Sequence, residues 1–164
     1  MPRKSSKPPE GSAFDAGLRL LAQRDHSSWE VRQKPLKRGY PEAEVAAAEA
    51  RLIEKGLLGD RGFAFHYVRR RSRTHGLLAI SAELAARRVD RETAEAALAR
   101  VAPHAQVLAA HRVAGRLAGN TQFASYRELL HSVGTRLLRR GFPMDVARDA
   151  CKDLWRGTPE EAEA

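Results

Sequence analysis

Apolar residues return along this chain every three or four positions, the spacing that gathers them on one face of a helix. A first set covers Phe14 to Arg24, then Val31 and Leu36, then Val45, Ala48 and Leu52. A second set runs from Arg61 to Ser72, where Phe63, Ala64, Tyr67 and Val68 form one stripe; it continues through Leu77, Ile80 and Leu84 and through Ala94, Ala97, Leu98 and Val101. A third covers His104 to Ala118, then Leu130, Val133 and Leu137, then Val146, Ala150 and Leu154. Ala, Leu, Arg and Glu are abundant and β-branched residues seldom cluster, so helices are favoured over strands. The predicted fold class is all-α.

The breaks between these runs carry a repeat. Lys37-Arg38-Gly39-Tyr40-Pro41 recurs 102 positions later as Arg139-Arg140-Gly141-Phe142-Pro143. Each position has a helix-stopping reason. Glycine can take the left-handed conformation that closes a helix, and the cations before it complement the negative end of the dipole. Proline then opens the next helix where its missing N–H costs nothing. The aromatic between them can plug the core. A weaker copy, Arg87-Arg88-Val89-Asp90, lies 49 positions after the first, with Asp90 as the expected N-cap. Ser27-x-x-Glu30 and Ser125-x-x-Glu128 have the form of capping boxes ahead of the middle helices.

The pattern predicts three tandem three-helix repeats, at 14–56, 57–102 and 103–156, flanked by disordered tails at 1–13 and 157–164. A unit of this size buries little alone, so the repeats are expected to pack in series as an elongated, curved helical stack. Two residues strain the scheme. Pro35 sits inside a predicted helix and is expected to kink it or end it early, and Gly62 lies near the start of another.

Charge then points to a kind of partner. The chain carries +9, and the excess lies in its middle and last thirds: +4 over 57–102 and +5 over 103–156, against +1 over 14–56. Such a field favours polyanions or acidic protein surfaces. Arg69, Arg70, Arg71 and Arg73 crowd the end of one predicted helix, and basic pairs recur at Lys37 and Arg38, Arg87 and Arg88, and Arg139 and Arg140. Guanidinium groups suit two-pronged pairing with phosphate or carboxylate. In a stack they would form a stripe.

Little else carries chemistry. The single cysteine, Cys151, falls on an apolar face and reads as core. The six histidines form no metal-binding motif with a carboxylate, and Gly56 to Gly62 lacks the strand and lysine of a phosphate loop. Glu42, Glu44, Glu49 and Glu54 read as a solvated face served by Arg51 and Lys55. No enzyme activity, cofactor or metal is expected. No apolar run approaches the roughly 20 residues of a membrane span, so a cytoplasmic location is expected; the chain is expected to be a monomer.

Taken together, Gly56-Leu57-Leu58-Gly59-Asp60-Arg61-Gly62-Phe63-Ala64, then Tyr67-Val68-Arg69-Arg70-Arg71, with the basic-glycine-aromatic steps, resemble the RecX family over about residues 14 to 156. Pro35 replaces an expected leucine, Arg88 stands where glycine is common, and Leu77-Leu78 follows Gly76 where a proline is more usual. The resemblance implies a modulator, mainly negative, of the RecA recombinase. It would lie in the groove of the RecA–single-stranded DNA filament, bind naked DNA weakly, and limit filament growth, ATP hydrolysis, strand exchange and repressor cleavage in DNA repair and the SOS response. The basic residues above would meet acidic protein surface or DNA backbone. A helix-turn-helix protein reading DNA sequence alone, or a scaffold without a nucleic-acid role, fits the same composition.

Overall fold

The computed structural model describes residues 10–155, and among them it is helical throughout, with no strand. The helices are α1 (Ala13–Gln23), α2 (Ser28–Lys37), α3 (Glu42–Glu54), α4 (Asp60–Arg71), α5 (Leu77–Ala86), α6 (Arg91–Leu98) and α7 (Pro103–Ala118). A continuous helical run follows, made of α8 (Tyr126–Leu129), a wider π segment (Leu130–Gly134) and α9 (Thr135–Arg139). Last comes α10 (Met144–Leu154).

The three steps share one hydrogen-bond pattern. Tyr40 N–H reaches back to the Pro35 carbonyl and Gly39 N–H to Leu36; Val89 reaches Leu84 and Arg88 reaches Ala85; Phe142 reaches Leu137 and Gly141 reaches Leu138. This is the double closure that ends a helix on a left-handed residue. Gly39, Arg88 and Gly141 all have positive φ, at 94°, 58° and 82°. The plug residues Tyr40, Val89 and Phe142 are all buried. The middle copy is weaker in sequence only, because Arg88 adopts the conformation that glycine supplies in the other two.

Several expectations need correction. The N-terminal tail does not extend to residue 13: Ser12 and Asp15 form a full capping box that starts α1 at Ala13. Residues 1–9 and the C-terminal tail at 157–164 lie outside the described residues. The helix does not end early at Pro35. It continues to Lys37, the position that matches Arg139 at the end of α9, because the left-handed Gly39 sets the end. Pro35 is buried where Leu84 and Leu137 are buried in the other steps. Ser27 and Glu30 form the complete box, whereas Glu128 reaches past Ser125 to the N–H of Ala124. Asp90 does cap α6, accepting from Thr93 N–H at 2.8 Å.

The described chain divides into two compact units. The first holds the chain up to Tyr67 together with Leu84–Ala94; the second holds Val68–Glu83 and the chain from Glu95 onward. In the first, Ala13, Ala16, Tyr40, Val45 and Ala48 pack together, and Val31, Leu52 and Leu58 form a neighbouring cluster. Phe63 and Tyr67 are also buried, with ring centroids 5.5 Å apart. In the second unit, Ala109, Ala110, Val113 and Ala114 of α7 bring that helix against Leu129, Val133, Leu137, Phe142, Ala147, Ala150 and Cys151. Burial pushes the Cys151 thiol up to about 11, so it remains protonated core.

One contact recurs in both units. Ser27, in the loop before α2, donates its hydroxyl to the Arg87 carbonyl at 2.9 Å. Gly76, 49 positions later in the loop before α5, donates its N–H to the Arg140 carbonyl at 2.8 Å. Arg87 and Arg140 occupy the same place in their steps, so each step's carbonyl is tied to the loop of the preceding helix triplet.

Candidate basic interface

The basic residues of the steps and of α4 fall into three kinds. Lys37, Arg38, Arg69, Arg70, Arg73, Arg88 and Arg139 are exposed. Lys37, Arg38 and Arg139 sit where a helix ends on a left-handed glycine and the next residue plugs the core, and Arg88 is the left-handed residue of its own step; Arg69 and Arg70 lie in the last turn of α4, where the helix dipole favours cations. Arg73 lies beyond the end of α4 at Arg71, so it does not share a helix face with Arg69 as the periodicity suggested.

Arg71 is of the second kind. Its guanidinium pairs two-pronged with Glu83 on α5, Nε to Oε2 at 2.9 Å and Nη2 to Oε1. That fork is engaged within the protein, where it fixes α5 against the end of α4. Arg140 is half-buried near it. Burial, then the Arg71 charge, with Arg140 adding to it, hold His75 below its ordinary value despite Glu83. Arg87 is the third kind, with its guanidinium 4.7 Å from the Tyr67 ring centre. A cation held over an aromatic face keeps its charge and loses freedom.

In the second unit, then, the structure gathers Arg71, His75, Glu83 and Arg140 into one cluster, and Gly76 explains why. A Cβ on Gly76 would lie 2.0 Å from the Gly141 carbonyl oxygen, and one on Gly141 would lie 2.3 Å from Ala79 N. Only two glycines permit this crossing of backbones. The sequence pattern singles out Gly141 as a helix stop and Ser27 only as a cap, and gives Gly76 no such role; aligning the chain on its 49-residue offset is the signal that pairs Ser27 with Gly76.

The acidic face of α3 also differs from expectation. Glu42 pairs with Arg32 of α2 at 3.1 Å, and Glu44 accepts from Ala13 N–H at 2.7 Å. Arg51 instead lies 4.1 Å from the Phe14 ring centre. Among the described residues no three or more His, Cys, Asp or Glu side chains converge as metal ligands, and no helix is long and apolar enough to cross a membrane.

These features define a helical-repeat protein whose outward-facing chemistry is guanidinium at helix ends. Comparison with known proteins sharpens that class. The profile of the first three-helix domain of RecX matches residues 13–52 and that of the second matches 60–98. The regulatory protein RecX of Chromohalobacter salexigens is 34% identical over 150 residues, covering 91% of this chain and 97% of the relative. The regulatory protein RecX of Thermus thermophilus is 36% identical over 151 residues, covering 92% and 95%. The crystal structure of RecX from Lactobacillus salivarius superposes with a TM-score of 0.71 at 26% identity, over 87% of this chain and 94% of that one. The chain belongs to the RecX family.

Proposed function

We propose that this chain is a regulator of the RecA recombinase, mainly an inhibitory one, acting without catalysis of its own in the cytoplasm. The observation that carries the reading is the match to regulatory RecX proteins across nearly their whole length. In this reading three helix triplets, at 14–56, 57–102 and 103–156, bind as a monomer in the groove of the RecA–single-stranded DNA filament. The bound protein limits filament growth and with it ATP hydrolysis, strand exchange and repressor cleavage. Arg69, Arg70, Arg73, Arg88, Lys37, Arg38 and Arg139 are the cations offered to acidic protein surface or to phosphate. Arg71, Arg87 and Arg140 support them from within.

The test is a RecA strand-exchange assay with wild type and the double variant Arg69→Glu/Arg73→Glu. Wild type is expected to inhibit, and the double variant to lose at least tenfold in potency with an unchanged circular dichroism spectrum. Equal inhibition by both would remove these two arginines from the interface. No inhibition by wild type would overturn the regulatory reading itself.

A further inference from the structure

The second unit carries an apolar groove of about 310 Å3 between the α8–π–α9 run and α10. Leu130, Leu138 and Met144 supply apolar lining, and Arg127, His131 and Arg148 line it as well. Among the described residues no carboxylate lines it.

A π turn lines the groove. In the π segment Thr135 N–H bonds to the Leu130 carbonyl, one residue further back than in an α-helix. Gly134 sits at the end of that wider turn, where a Cβ would come within 2.9 Å of Leu130 Cδ1 and 3.7 Å of Cys151 Sγ. A side chain there would press on Leu130, one of the residues that line the groove. Extra turns of this sort are frequent at functional sites. Its lining remains open: Leu138 is 37% and Met144 50% exposed. Methionine adapts to varied apolar partners, and the volume is at the low end of ligand sites, sized for side-chain anchors rather than a large cofactor.

The geometry points to this groove as a docking site for a protein segment that sets a large apolar side chain beside one or more carboxylates. Charge complementarity selects that occupant: two arginines and a histidine share the lining with apolar side chains, and among the described residues no carboxylate does. Nucleic acid fits less well, since phosphates could meet Arg127 and Arg148 but would leave Leu138 and Met144 against solvent. The inference rests on the regulatory reading above and deepens it, because the segment would belong to the recombinase filament. It also gives the third helix triplet a protein anchor independent of the arginines of α4 and of the steps.

The experiment measures binding of the full chain to RecA filaments formed on single-stranded DNA with ATP, and in parallel to the same DNA alone. Met144→Glu, at the first residue of α10 where an acid suits the helix dipole, and Arg148→Glu are expected to weaken filament binding at least tenfold. Both should keep DNA affinity within twofold and an unchanged circular dichroism spectrum. Leu108→Glu, an equally exposed apolar position on α7 outside the groove, should bind like wild type. Groove variants that bind the filament as well as Leu108→Glu overturn the proposal while leaving the regulatory reading intact. A parallel loss of DNA affinity would make the groove a nucleic-acid surface, and a wild-type dimer in sedimentation that Met144→Glu dissolves would make its occupant a second copy of this chain; either result overturns the proposal. Wild type that fails to bind the filament sinks both readings.

Discussion

At the scale of single residues, backbone conformation separates positions that look alike in sequence. Arg88 takes φ of 58° with a side chain that disfavours it, whereas Gly39 and Gly141 occupy the same place without strain. Arg88→Gly is therefore expected to raise stability by about 0.5–1 kcal/mol, read as a rise of roughly 1–4 °C in Tm. If Arg88 also meets the partner, the same variant will bind less well while being more stable. Gly76→Ala should have the opposite effect. Its methyl would strike the Gly141 backbone, which cannot swing aside as a side chain can, and the loss should exceed about 3 kcal/mol; a soluble variant with an unchanged denaturation midpoint would refute the crossing. Gly62, the residue that looked out of place, is harmless. It lies in the first turn of α4 with open space where a Cβ would go.

At the scale of elements, the helices and their stops were legible because their causes are local. Spacing of apolar residues, caps and glycine act within a turn or two, and the expected stripe of Phe63, Ala64, Tyr67 and Val68 is buried. Less legible was what each loop does beyond its own helix. Ser27 both caps α2 and donates to Arg87 across 60 positions. Ser27→Ala should thus cost about 2 kcal/mol, more than the roughly 1 kcal/mol of a cap alone, because a half-buried carbonyl is also deprived of its donor; chemical denaturation measures this directly. His26 beside it is buried, its Nδ1 2.8 Å from the Arg24 carbonyl and its Nε2 2.8 Å from Lys34 Nζ. Lysine only donates, so Nε2 accepts and Nδ1 carries the proton. Burial holds the ring below its ordinary value of 6.5, aided by the Arg24 and Lys34 charges against the Arg24 carbonyl bond. A depressed histidine is neutral in the fold and titrates normally in the unfolded chain. Its contribution is complete above pH 6.5 and is lost as pH falls below that value. The urea midpoint should drop more between pH 7.5 and 5.5 in wild type than in His26→Gln.

At the scale of the whole molecule, the question is which cations face outward. Charge summed along the chain locates the basic excess but treats every arginine as equal. Glu83 occupies Arg71, and Tyr67 lies under Arg87, while Arg69, Arg70 and Arg73 remain exposed. If Arg69 and Arg73 meet single-stranded phosphates, replacing both with alanine should flatten the dependence of log K on log salt by about 0.7 for each phosphate no longer neutralised. An unchanged slope would assign them to protein surface instead. The sequence by itself determined the helical class, the beat of the repeats, the place of every step and the family, since these rest on interactions close along the chain or on motifs read in order. Only the tertiary structure decided that Arg88 does a glycine's work, that Gly76 and Gly141 must both be bare, that Arg71 is taken up by Glu83, and that a π segment lines a groove beside α10. Each of those depends on atoms brought together from distant positions, where excluded volume and charge pairing leave no periodic trace in the chain.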